Sequence, residues 1–393
     1  MGARYPFITR ECTLLLRYGS SENGTVEKKA HIYTRDEHGL EHHLVDPDAL
    51  WVCRTLRHAR FHAYIVGGAV RDLLVGRPPK DFDIATDATP QQLRRLFRTA
   101  RLIGRRFRIV HVYFGRDKWV EVTTFRAEMR EGSENFFGTM EEDARRRDFT
   151  INALYYEPFD EQIVDYVGGL DDVRRRRLRT LGDAEQSFSE DPVRMIRALK
   201  YASYTGFPIT MGMGRLIKRL RQRLLECSRE RVTEEVFKIL ASGNAADILA
   251  QAWRYRVTEV LLPAVDASLR PTVRKLADSP LGARLAELDA ETREGRPLER
   301  EALFSFLFRD LLLAERARFV GPEPDAAIAR WLRTASEPLF PSRRDLARAA
   351  MDILQEIGGE LVPPKKSRRR RRGGRHRGPR RDAGPPSAGP RTS

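Results

Sequence analysis

Cysteine is scarce in this 393-residue chain: Cys12, Cys53 and Cys227 are the three, widely spaced and odd in number. With no CxxC pair and no Cys/His cluster, neither a disulfide framework nor a zinc site is indicated, and the thiols read as small buried hydrophobes. No apolar run approaches the roughly 18 residues that a membrane helix needs, so no membrane partner is expected. The opening residues Met1-Gly2-Ala3-Arg4-Tyr5-Pro6 lack the apolar stretch of a secretory signal, so a cytoplasmic location is expected. No P-loop, HExxH or Ser/His/Asp set appears, and no internal repeat of fixed period. Negative charge is in deficit, with 55 Asp and Glu against 71 Lys and Arg, a net +16.

The placement of that excess matters more than its size. Residues 365–393 carry twelve positive charges against one negative, Asp382, and the block Arg368, Arg369, Arg370, Arg371 and Arg372 is its centre. A dense basic block favours a polyphosphate partner, because each neutralised phosphate releases counterions. RNA contact is therefore assigned to these arginines, against the alternative of a solubilising tail. From Pro363 onward Pro, Gly, Ser and Arg dominate, a composition that cannot bury enough apolar surface to offset ordering entropy.

Strand and helix signals alternate over residues 50–170, which predicts an α/β head. Asp46 followed by Pro47 opens a helix with an apolar stripe at Leu50, Val52, Cys53 and Leu56. Residues 62–66 read as a short buried strand ending at Gly67-Gly68, residues 69–75 as a helix stopped by Gly76, and residues 82–85 as a second strand. Thr89 caps a helix with Pro90 at its first position. Residues 109–114 and 119–125 are strands, residues 127–137 a loop, and a helix begins near Met140. Beyond about residue 185 the apolar spacing is three and four, and an all-helical part is expected. The organisation is then an N-terminal extension (1–46), a head (47–185), a helical neck (186–245), a helical body (246–362) and a disordered Arg-rich tail (363–393).

The sharpest constellation is Gly67-Gly68-Ala69-Val70-Arg71-Asp72 followed by Lys80-Asp81-Phe82-Asp83. Two glycines between a strand and a helix permit close backbone approach, and the amides of the helix start face an anion such as a triphosphate, which Arg71 also reaches. On a strand, residues two apart share a side, so Asp81 and Asp83 stand together with Phe82 turned inward. Two carboxylates so close are costly without a cation, and Mg²⁺ takes such oxygen ligands together with substrate phosphates. Two ions about 3.5–4 Å apart would activate a hydroxyl and stabilise leaving pyrophosphate. Glu121, within the apolar run Trp119-Val120-Glu121-Val122, is a further carboxylate whose burial needs a partner.

Gly67-Gly68-x-x-Arg71-Asp72 with Asp81-x-Asp83 resembles the first motif of the class II nucleotidyltransferases, the poly(A) polymerase and tRNA CCA-adding family. The stretch Arg146-Arg147-Asp148-Phe149-Thr150-Ile151-Asn152-Ala153-Leu154 resembles that family's ribose-recognition motif. Glu190-Asp191-Pro192-Val193-Arg194-Met195-Ile196-Arg197 resembles its base-recognition motif. The resemblance implies a polymerase-β-like α/β nucleotidyltransferase head with an all-α neck and body. It implies that Asp148 meets the nucleotide 2′-hydroxyl with Arg147 and Asn152 beside it, or joins Asp81 and Asp83 as a catalytic carboxylate in place of Glu121. Asp191 and Arg194, an acceptor and a fork of donors three residues apart, would read a base edge without a template, with Arg197 on the same helix face. ATP is the implied substrate and two Mg²⁺ the implied cofactors. RNA 3′ ends are the implied partner, together with RNA-degradation or RNA-chaperone proteins.

Residues 102–112 resemble the stretch that separates bacterial poly(A) polymerases from CCA-adding enzymes, and the basic tail points the same way. The expected activity is template-independent addition of AMP to RNA 3′ ends. CCA addition and non-catalytic RNA binding are the alternatives.

Overall fold

The computed structural model describes residues 15–20, 26–104, 109–115, 118–127, 137–319 and 323–361. The tail arginines 368–372 and residues 105–108 of the discriminating stretch lie outside that set, as does most of the 127–137 loop.

Nine strands are described: β1 (Leu15–Ser20), β2 (Val26–Tyr33), β3 (Ala63–Val66), β4 (Asp83–Thr86), β5 (Ala100–Ile103), β6 (Ile109–Tyr113), β7 (Trp119–Thr124), β8 (Leu154–Glu157) and β9 (Gln162–Asp165). They form one sheet in the order β1-β2-β9-β8-β3-β4-β7-β6-β5. Every neighbouring pair is antiparallel except β4 and β7. A parallel pair needs a crossover, and the helix Pro90–Leu96 with the β5–β6 hairpin supplies it. Strands β1 and β2 come from the stretch assigned to an N-terminal extension, yet β2 pairs with β9 and continues the sheet of the head.

Local chemistry sets the elements around the site. Asp46 caps the helix Pro47–His58 by accepting from the amides of Asp48 and Ala49. Thr89 caps Pro90–Leu96 in a reciprocal box with Gln92, and Thr139 does the same with Glu142 for Met140–Arg145. On one face of the sheet, Ile65, Ile84, Val110 and Val122 pack against Val52, Cys53, Leu56 and Leu93. On the other, Met140 and Ala144 cover Tyr64, Val66, Ala85 and Tyr155. Over β5–β7 that second face is open enough to leave Trp119 49% and Ile103 40% exposed.

β4 begins at Asp83 rather than at Phe82, so Asp81 and Phe82 form its lead-in. Phe82 still packs against the core, as the two-residue alternation requires. No strand follows β9 among the described residues. The helices Val193–Thr205, Arg229–Leu240 and Ala245–Arg254 follow it, and their buried residues join the same core as the sheet. Among the described residues no helix is long and apolar enough to cross a membrane.

Candidate active site

A cleft of about 840 Å³ opens between the head and the helical part, and the sequence motifs converge on it. Its walls include Gly67, Gly68, Arg71 and Asp72 from the glycine bend, Asp81 and Asp83 from β4 and its lead-in, Arg147, Asp148 and Asn152, and Asp191, Arg194 and Arg197. Glu121 is not a wall of the cleft; it stands directly beside Asp83 in the register of β4 with β7.

The bend demands glycine. Gly67 has φ +69°, and a Cβ there would stand 3.1 Å from Arg147 Nη1. Val66, just before it, pairs with Asp83, which brings the bend and the carboxylates together. Burial, with Glu121 and Asp81 nearby, pushes the Asp83 carboxyl up to about 7, although Arg147 and His111 pull the other way. Burial raises Glu121 as well. Such crowding is the electrostatic setting that a bound cation relieves. No three possible metal-ligating side chains gather at one point among the described residues. Two aspartates suit Mg²⁺, which keeps water and phosphate oxygens in its remaining positions.

Asp148 is committed elsewhere. Its oxygens accept from Arg197 Nε at 2.6 Å, Asn152 Nδ2 at 3.0 Å and the Phe149 amide at 2.9 Å. Burial would raise this carboxyl, but Arg197, Asn152 and that amide hold it below the ordinary range. Asn152 in turn accepts from Arg71 Nη1 at 2.7 Å, and Arg71 Nε donates to Asp72 at 2.8 Å. The Arg71 guanidinium also lies 4.7 Å from the Tyr201 ring centre. Arg71 therefore reaches the cleft as part of a polar chain joining the bend to the neck. Arg147 donates to the Asn152 carbonyl and to Asp143, and its Nε is buried without a partner.

Asp191 lies outside the helices rather than on a helix face. Helix Ala184–Glu190 ends before it and Val193–Thr205 starts after Pro192. Proline disfavours helical backbone in the residue preceding it, and Asp191 has φ −140°, ψ 89°. Its Oδ2 accepts from Arg231 Nη2 at 2.6 Å and is 3.9 Å from Arg194 Nε, while Oδ1 is buried with no partner. Arg194 Nη1 donates to the Ser187 hydroxyl at 2.8 Å.

Sequence reasoning missed several walls. Lys200, Tyr201 and Tyr204 continue the face of Arg197 at three, four and seven residues, a helical signal that was present. Arg231 and Lys238 come from a later helix, and nothing local marks them.

A family model described as the poly A polymerase head domain matches residues 63–179, and one described as the probable RNA and SrmB-binding site of polymerase A matches residues 206–269. Poly(A) polymerase I of Salmonella typhi is 36% identical over 374 residues, 90% of this chain and 77% of that protein. The CCA-adding enzyme of Bacillus licheniformis is 37% identical over 227 residues, 56% of each chain. Among solved structures, the Bacillus stearothermophilus CCA-adding enzyme in complex with CTP aligns with a TM-score of 0.54 at 26% identity, over 80% of this chain and 84% of that one. Sequence, sheet and cleft agree: the chain belongs to the class II nucleotidyltransferases, the family of poly(A) polymerases and CCA-adding enzymes that act on RNA 3′ ends.

Proposed function

We propose that this chain is a poly(A) polymerase, joining AMP from ATP to the 3′ end of RNA without a template and releasing pyrophosphate. The supporting observation is the cleft itself, which places the glycine bend, Asp81 and Asp83, and the Asp191–Arg194 pair around one volume of nucleotide size.

The amides at the start of the helix Gly68–Leu74 receive the triphosphate. Asp81 and Asp83 would hold Mg²⁺, and Glu121, the cross-strand neighbour of Asp83, is the further carboxylate that would add negative charge beside them. A cation held there would offset the charge of the phosphates and make the attacking hydroxyl more acidic. The RNA 3′ oxygen bonds to the α-phosphorus, the bond to the β-phosphate bridge oxygen breaks, and the hydroxyl proton leaves to solvent. Asn152 and Arg147 hold the sugar corner. Asp148 acts through Arg197 and Asn152, whose positions it fixes.

Asp191 Oδ1, buried and unpartnered, awaits a donor. An amino group beside a ring nitrogen offers a donor and an acceptor, which the carboxylate and the Arg194 fork match. Adenine and cytosine both carry that edge. The choice of ATP rests on extent: similarity to the poly(A) polymerase runs through 90% of the chain, and to the CCA-adding enzyme through 56%. The basic tail suits an enzyme that takes varied RNA ends. Incubating the purified chain with labelled RNA, Mg²⁺ and each nucleotide in turn should give long ATP-dependent extension. CTP incorporation that stops at a defined three-nucleotide step on end-less tRNA would point to CCA addition instead. Unchanged RNA binding with no extension in any nucleotide would leave only an RNA-binding protein.

A further inference from the structure

The open face of β5–β7 is the feature that the nucleotide cleft does not use. A single row of cross-strand partners runs Val66, Asp83, Glu121, His111, Arg101 through β3, β4, β7, β6 and β5. Direct partners share a face of the sheet, with strands about 4.8 Å apart, so His111 stands roughly 10 Å from Asp83 on the side that carries the carboxylates. One row along, Trp119 pairs with Tyr113. The Trp119 and His111 rings are parallel within 9° at 5.4 Å, and Tyr113 lies 6.0 Å from Trp119. The Arg101 guanidinium sits 5.0 Å from the Tyr113 ring centre. Trp119 is half exposed, its indole backed by His111.

Alternation explains why these residues are outside. Val110, Val112, Val120 and Val122 take the buried side, and Ala100 and Leu102 pack against the same core. Among the outward positions His111, Tyr113 and Trp119 carry π-faces and Arg101 a guanidinium. Aromatic rings interleaved with arginine, on a surface continuous with a phosphoryl-transfer centre, form a stacking platform for unpaired bases.

We propose that this face binds the single-stranded 3′ segment of the RNA acceptor, its bases stacked on Trp119 and Tyr113 with Arg101 at a phosphate, so that the terminal hydroxyl is led along the row to Asp83. The proposal rests on the nucleotidyltransferase reading and names where its second substrate lies. Glu121 marks the junction: its carboxylate is 3.6 Å from His111 Nε2 and beside Asp83. Stacking on ring faces tolerates any base, which suits an enzyme that accepts varied ends.

The test is binding by the full chain without nucleotide, using a fluorescent RNA duplex with an unpaired 3′ overhang and the same duplex blunt-ended. Trp119→Ala is expected to weaken overhang binding about tenfold, the scale of one lost base–aromatic stack, and to leave blunt-ended binding unchanged. Trp119→Phe keeps most of the overhang affinity. In extension assays Trp119→Ala raises KM for RNA by a similar factor and leaves KM for ATP unchanged. An RNA carrying 4-thiouridine two or three nucleotides before its 3′ end, irradiated on the parent protein, should crosslink to peptides of β6 or β7. Equal overhang affinity for parent and Trp119→Ala, equal losses on blunt and overhang RNA, or crosslinks confined to other elements would each overturn the proposal. Because binding and crosslinking need no turnover, a chain that fails to extend RNA would sink the polymerase reading and still test this face.

Discussion

Asp83 carries the tension of the whole site. It is drawn into the sheet beside Glu121 and near Asp81, and its carboxyl is pushed up to about 7. Replacing it with asparagine should cut nucleotide addition by about a hundredfold or more, the scale of losing a group aimed at transition-state charge. It should not destabilise the fold, because it removes crowded charge. Thermal unfolding with and without Mg²⁺ supplies a second readout. Mg²⁺ should raise the unfolding temperature of the parent by mass action and leave Asp83→Asn unmoved, and a shift of equal size in both would place the cation elsewhere. Gly67→Ala faces two penalties, a positive φ and a Cβ 3.1 Å from Arg147. A loss of about 1–3 kcal/mol in stability is expected by denaturant titration, with activity falling alongside it. At this scale the sequence showed which side chains stand together where they are close in the chain. Two aspartates spaced by one residue and a Gly-Gly turn announce themselves. The choice between Glu121 and Asp148 did not, because it depends on which strand pairs with β4 and on Arg197 reaching Asp148 from another helix.

Between elements, buried polar groups tie the helix Met140–Arg145 and the residues after it to the sheet. Asp143 accepts from Arg146 Nε at 3.0 Å, Arg147 Nη2 at 3.1 Å and the Tyr155 hydroxyl at 2.7 Å. Burial would raise its carboxyl, but Arg147, Arg146 and Tyr155 together hold it below the ordinary value. A depressed carboxyl contributes stability above its unfolded pKa, about 3.9, and loses it as pH falls through the lower folded value. Asp143→Asn should therefore cost about 3 kcal/mol at pH 7. That cost should shrink below about pH 4, as followed by urea unfolding across pH. A cost independent of pH would contradict the charged pairing. At the neck, Arg231 comes from the helix Arg229–Leu240 to pin Asp191 Oδ2. Arg231→Ala frees the Asp191 carboxylate to rotate, and ATP should lose about tenfold of its advantage over GTP and UTP in kcat/KM, roughly the value of one charge-assisted hydrogen bond. The caps at Asp46, Thr89 and Thr139 sat where the sequence placed helix starts. The chain from Glu190 to Arg197 read as one helix, and Pro192 broke that reading by forcing Asp191 into extended backbone.

For the molecule as a whole, the sheet and the helices after it share one core, and the cleft lies where they meet. The head was legible from strand–helix alternation. The contribution of β1 and β2 was not, since the pair joins the sheet through β2 and its partner β9 lies more than a hundred residues away in sequence. The basic tail belongs to this scale too. Removing residues 363–393 should weaken RNA binding most at low salt and flatten its dependence on salt, while the preference among nucleotides stays put. An unchanged salt slope would leave the tail as a solubilising segment. The most direct measurement supplies all four nucleotides at equal concentration with Mg²⁺ and a single-stranded RNA, then sequences what the full chain adds. Runs of adenylate on the parent, and none on Asp83→Asn, are the expected result. Cytidine-cytidine-adenosine ends, mixed tails, or extension that survives the loss of Asp83 would contradict it.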